Sequence, residues 1–91
     1  MPPFPVRDAL AVVTGAASGS GAALSRSLAA RGANLALVDR DGQGLETTRD
    51  SLVAQNVRVT LHPMDVTDRA AVDALPSVVA QAHGAPADVL I

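Results

Sequence analysis

The sequence predicts an α/β fold built on a parallel sheet, and three observations carry that prediction. The apolar runs at residues 9–13 and 35–38 are continuous rather than alternating, which suits strands buried on both faces. Each run is followed by a longer segment with apolar residues at helical spacing. Between the first run and the first helix lies a turn with glycine at 15, 19 and 21. Alternation of this kind makes the strands parallel and joins them by right-handed crossovers.

Taken in order, residues 1–8 hold three prolines and read as an extended lead-in. Residues 9–13 form the first strand, and residues 22–31 the first helix, with Leu24 and Leu28 one turn apart on one face. Gly32 stands where a left-handed helix cap belongs. Residues 35–38 form the second strand, which ends at Asp39. Gly42 and Gly44 mark a turn, and residues 45–55 are helical with Leu45, Thr48 and Leu52 along one side.

Residues 57–61 alternate apolar and polar, as a strand near a sheet edge does, and Pro63 ends them. Thr67 or Asp68 caps a third helix, whose Val72, Leu75 and Val79 make one core-facing stripe. Pro76 lies inside it and is expected to kink or split it. Gly84, Ala85 and Pro86 close that helix, and residues 88–91 begin a fourth strand. The pattern is β-α-β-α-β-α-β.

Composition narrows the chemistry. The chain has 91 residues, 48% of them hydrophobic, with a formal net charge of −2, so no basic stripe marks a nucleic-acid partner. The seven basic residues are all Arg, which removes lysine chemistry from this stretch. Cysteine is absent, so disulfides and thiolate metal sites are excluded. His62 and His83 have no carboxylate, thiol or second His at ligand spacing and read as surface or loop residues, so no metal site is expected. With no secretory signal and no apolar run near the ~20 residues of a membrane span, no membrane partner and a cytoplasmic location are expected.

The turn Thr14-Gly15-Ala16-Ala17-Ser18-Gly19-Ser20-Gly21 carries the functional signal. The helix start offers unpaired amide hydrogens and the positive end of the helix dipole, which together attract an anion such as a diphosphate. Glycine at three points keeps the turn and the phosphate approach free of Cβ atoms. Asp39 follows 24 positions after Gly15, close to the spacing at which an acidic residue grips a ribose diol. None of Ser18, Ser20 and Ser25 has a neighbouring His, and no nucleophile-elbow motif is present.

These residues resemble the cofactor motif of the short-chain dehydrogenase/reductase family. Asp65-Val66 is similar to that family's adenine-contacting pair, and residues 88–91 look like the strand leading into its Asn-Asn-Ala-Gly signature. The resemblance spans about residues 9–91. It implies that Gly15, Gly19 and Gly21 form the pyrophosphate turn and that Ser18 reaches the adenosine ribose or its phosphate. It further implies that Asp39 holds the 2′ and 3′ hydroxyls, that Asp65 accepts from the adenine amino group, and that Val66 lines the ring. Ser20 departs from the family's usual aliphatic residue, although its backbone N–H still serves.

The implied cofactor is NAD, because Asp39 repels a 2′-phosphate. Arg40 keeps NADP open, since it can stack on adenine, reach a phosphate, or remain a solvated charge. Asp65 has a rival role as a helix cap. The resemblance implies a Rossmann-type sheet of order 3-2-1-4, its first two helices on one face and its third on the other.

The expected domain is thus the N-terminal portion of a dinucleotide-binding unit over residues 1–91, incomplete on its C-terminal side. The family's catalytic Ser and Tyr-Xaa-Xaa-Xaa-Lys fall beyond Ile91, so this stretch is expected to be inactive alone. Its bare fourth-strand edge is expected to self-associate or take a partner strand. A non-catalytic nucleotide-binding or interaction module is the competing reading. A methyltransferase is disfavoured by the Thr14-Gly15 opening and the lack of an acidic residue in the first strand.

Overall fold

A computed structural model describes residues 6–91. The five preceding positions of the expected lead-in lie outside the described residues. The elements are β1 (Leu10–Thr14), α1 (Gly19–Ala30), β2 (Asn34–Asp39), α2 (Gly42–Asp50), a 3₁₀ turn at Val53–Gln55, β3 (Val59–Pro63), α3 (Arg69–His83) and β4 (Val89–Leu90). The four strands form one parallel sheet of order β3-β2-β1-β4. This is the expected topology.

Alternation along the buried strands divides the core between the two faces. Ala11, Val13, Leu35 and Leu37 point to one face and pack with Ala29 of α1, Leu45 of α2, and Leu52. Leu24 and Leu28 flank that cluster as the α1 stripe predicts. Leu10, Val12, Ala36 and Val38 point to the other face, where Val79 of α3 meets them. The first two helices therefore share one face and the third covers the opposite one.

Four local expectations change. Residues 7 and 8 turn rather than extend: Ala9 N donates to the Val6 carbonyl at 3.0 Å, and Asp8 N donates to the Gly32 carbonyl at 2.9 Å. Gly42 and Gly44 open α2 instead of preceding it, because Asp41 caps the helix by accepting from Gly44 N at 2.9 Å. The helix then stops at Asp50, ahead of a 3₁₀ turn. Finally, α3 runs unsplit through Pro76, whose position is exposed, so solvent rather than a buried partner meets the carbonyl left without its donor.

Asp68 caps α3 by accepting from Ala71 N at 3.2 Å, and Gly84 ends it at φ +75°. Of the α3 stripe, Val79 is buried and Leu75 half-buried, while Val72 remains exposed beside an apolar groove of about 360 Å³ that also touches Leu90. Among the described residues, no helix is long and apolar enough to cross a membrane.

Neither histidine lies in a loop. His62 in β3 and His83 at the end of α3 are half-buried, and each ring Nε2 lies within hydrogen-bond distance of the Thr60 hydroxyl, at 2.8 and 2.7 Å. Burial holds both imidazoles below their usual 6.5, and the charges of Arg58 and His62 push His83 the same way. Below 6.5 the unfolded chain then takes up protons that the folded chain resists. The contribution to stability is complete above that value and is lost as pH falls through the lower folded-state values. We expect the melting temperature to drop between about pH 7 and pH 5, and the slope to flatten when both histidines are replaced by glutamine. Equal slopes for the two proteins, followed by circular dichroism, would count against this pair.

Candidate dinucleotide site

All four strands deliver their C-terminal ends to one edge of the sheet, where Thr14, Asp39, Pro63 and Ile91 lie. The direction of winding reverses between β1 and β4, which in open α/β sheets opens a crevice at that edge. The turn from β1 to α1 crosses this crevice. Ser18 is the N-cap of α1, extended at φ −162° and ψ 173°, and its hydroxyl makes no capping bond. The amides of the first turn of α1 therefore face outward without intrahelical acceptors.

The three glycines serve different purposes. Gly15 and Gly19 adopt φ of +66° and +62°, and a Cβ at either would meet nothing within 4 Å. Their requirement is conformational, and the space beside them is open. Gly21 has an ordinary φ, but its Cβ would overlap the Gly15 carbonyl. It lets the first turn of α1 lie directly against the end of β1.

Two clefts meet at Gly15. One, of about 590 Å³, is lined by Thr14, Gly15, Ser18, Gly19, Ser20, Gly21 and Ile91, among others. The other, of about 240 Å³, is lined by Gly15, Asp39, Arg40, Met64, Asp65, Val66 and Thr67. The nine residues singled out in the sequence, Gly15, Ser18, Gly19, Ser20, Gly21, Asp39, Arg40, Asp65 and Val66, thus line two adjoining hollows.

Backbone amides fix the carboxylates in the second cleft. Asp39 Oδ2 accepts from Ala17 N at 3.1 Å and Oδ1 from Asp41 N at 3.0 Å, which binds the end of β2 to the glycine turn. Asp65 does not cap α3. Its Oδ1 accepts from Thr67 N at 2.9 Å and from the Thr67 hydroxyl at 2.7 Å. Those two bonds hold the Asp65 carboxyl below the usual carboxylate range, with Arg40 adding to the effect. Arg40 Nη2 lies 3.7 Å from Asp65 Oδ2, a loose exposed pair of little energetic weight.

Sequence reasoning missed three residues around this site. Met64 lines the second cleft, Thr67 orients Asp65, and Thr48 reaches the turn from α2. Thr48 left a trace as a polar residue on an otherwise apolar stripe, and Thr67 as a candidate helix cap rather than a partner of Asp65.

The fold and this edge define a Rossmann-type domain with an open glycine turn beside a carboxylate. A family model described as short chain dehydrogenase matches residues 9–91, and the chain belongs to that family. Over 86 residues it is 37% identical to 2,3-dihydro-2,3-dihydroxybenzoate dehydrogenase of Bacillus subtilis, covering 94% of this chain and 33% of that protein. It is also 41% identical to glycine betaine reductase ATRR of Emericella nidulans over 91 residues, covering 100% of this chain but 7% of that protein.

Among solved structures, a short chain dehydrogenase/reductase from Burkholderia phymatum in complex with NAD superposes with a TM-score of 0.87 at 36% identity, covering 96% of this chain and 31% of that one. A metagenomic short-chain oxidoreductase in complex with NADP gives 0.84 at 36% identity, covering 93% and 38%. The chain therefore spans between 7% and 38% of the length of these relatives.

Proposed function

We propose that this chain binds a nicotinamide dinucleotide, NAD in preference to NADP, as the cofactor-binding portion of an oxidoreductase. The observation that carries the reading is the pair of clefts joined at Gly15. One is walled by the glycine turn and the head of α1, and the other by Asp39, Asp65 and Val66. The open space beside Gly15 and Gly19 suits a diphosphate, and two protein structures similar to this chain hold NAD and NADP.

In this reading Gly15, Gly19, Gly21 and the backbone of Ser20 cradle the diphosphate, with Ser18 donating to it or to the neighbouring ribose. Asp39 accepts from the ribose hydroxyls, and Asp65 and Val66 receive the adenine beside Arg40. When bound, the nicotinamide supplies hydride transfer to or from an alcohol or carbonyl substrate of the whole protein. This stretch has no Tyr or Lys, the residues that the family uses for proton transfer, and its role in this reading is binding and orientation.

Titration calorimetry on the 91-residue chain tests the assignment. NAD is expected to bind more tightly than NADP, and S-adenosylmethionine is expected to give no heat. Absence of any dinucleotide binding would overturn the reading, and binding of S-adenosylmethionine alone would favour a methyltransferase site.

The competing role as an interaction module draws on the edge of β4, where Leu90 is 69% exposed next to the apolar groove of α3. We propose that this edge pairs with a second copy. Size-exclusion chromatography should show a concentration-dependent shift to larger species, and a monomer at all concentrations would exclude it.

A further inference from the structure

The glycine turn, flexible by composition, rests on a support that the cofactor motif does not include. Thr48 is 3% exposed, one of two buried polar side chains among the described residues. The other, Ser25, bonds back to the Gly21 carbonyl of its own helix at 2.8 Å. Thr48 instead reaches out of α2, and its hydroxyl donates to the Ala16 carbonyl at 2.8 Å, 32 positions away in sequence.

That carbonyl belongs to the same peptide unit as the Ala17 amide, which donates to Asp39 Oδ2 at 3.1 Å. In a trans peptide the C=O and N–H point in opposite directions. One rigid plane is thus held at both ends, by a helix hydroxyl on one side and a strand-end carboxylate on the other. The preceding peptide is tied as well, Ala16 N donating to the Val38 carbonyl at 3.1 Å. The Ala17 methyl rests on Gly44, where a Cβ would approach it to 2.7 Å. Residues 15 and 19, both at positive φ, bracket this clamped unit, so its orientation sets where the turn carries the head of α1.

We propose that Thr48 is a positioning residue for dinucleotide binding, acting through the Ala16–Ala17 peptide on both the phosphate turn and the Asp39 carboxylate. The inference rests on the proposed dinucleotide reading. Removing the hydroxyl while keeping the shape frees the Ala16 carbonyl, lets the peptide rotate, and misaligns amides and carboxylate together.

The experiment is NAD titration of the 91-residue chain and its Thr48→Val and Thr48→Ser variants, well below each melting temperature. Thr48→Val is expected to weaken NAD by about tenfold, the scale of one lost hydrogen bond, and Thr48→Ser, which keeps the hydroxyl, to bind within about twofold of the parent. A folded Thr48→Val with parental affinity overturns the inference while leaving the dinucleotide reading intact. A parent chain that binds neither NAD nor NADP overturns both.

Should Thr48→Val fail to fold, nuclear magnetic resonance of the parent decides. Adding NAD should shift the Thr48 side-chain resonances together with the Ala16 and Ala17 amides. A Thr48 that stays unmoved while those amides shift would overturn the coupling.

Discussion

A single methyl added at Gly21 is expected to cost this chain a large part of its stability. The new Cβ would overlap the Gly15 carbonyl and come within 3.2 Å of the Ala16 Cα. Overpacked cores usually lose ~1–3 kcal/mol because side chains give way. Here both obstacles are backbone, and the Ala16–Ala17 peptide beside them is already tied to α2 and β2. The helix would have to move off the strand, at an expected cost of at least ~3 kcal/mol against a typical total of ~5–15.

Gly15→Ala and Gly19→Ala meet no atoms and should cost only the ~1–2 kcal/mol of a left-handed conformation. Both should stay folded. Their methyls would project into the open space beside the turn, so their NAD affinity should fall even though the fold survives. Urea unfolding of the three variants beside the parent tests this ordering. A Gly21→Ala chain as stable as Gly15→Ala would show that the strand-to-helix contact is not needed.

The same comparison explains which parts of the molecule were legible in sequence. The strand order and the placement of helices on the two faces came with the family resemblance, whereas the strands, the helices and the turn from β1 to α1 rest on local signals. These are continuous apolar runs, helical spacing, and glycines directly between a run and a helix. Other features depend on contacts between distant residues. Gly42 and Gly44 read as a turn because glycine weakens a helix. Gly44 is nonetheless helical, packed under Ala17, 27 positions earlier, in a gap that admits no side chain.

Thr48 fitted the stripe of Leu45 and Leu52, and nothing local distinguished a hydroxyl that bonds across the fold from one that merely fills space. Pro76 was read by its intrinsic cost, but its exposed position keeps that cost small enough for α3 to continue. Asp65 had two roles open to it, and the geometry removes one: Asp68 caps α3, leaving the Asp65 carboxyl turned into the second cleft with Thr67 fixing its angle.

Replacing Asp39 by alanine is the second large effect, because the carboxylate that ties the glycine turn is also the one proposed to hold the ribose. Each oxygen accepts a backbone amide, from Ala17 and from Asp41, so the variant leaves two donors unpaired. An unpaired buried donor costs ~1–3 kcal/mol. Asp39 is half-buried, so water replaces part of the loss and the stability change should fall at the low end of that range. Affinity suffers more. In the proposed dinucleotide reading the ribose loses its charged acceptor, worth ~1.5–3 kcal/mol per bond, and the Ala16–Ala17 peptide loses one of its two ties.

NAD affinity of Asp39→Ala is therefore expected to fall by about a hundredfold, which corresponds to ~2.7 kcal/mol. NADP should lose less, since the carboxylate that opposed its 2′-phosphate is gone and Arg40 stands next in sequence. Asp39→Asn separates the two contributions. Its amide nitrogen cannot accept, so one of the two backbone ties is lost while the other remains, and its NAD affinity should lie between those of the parent and Asp39→Ala. Calorimetric titration of the three chains with both dinucleotides would decide the matter. Unchanged NAD affinity in the alanine variant would remove Asp39 from the site, and a uniform loss for NAD and NADP would assign its effect to the turn rather than to the ribose.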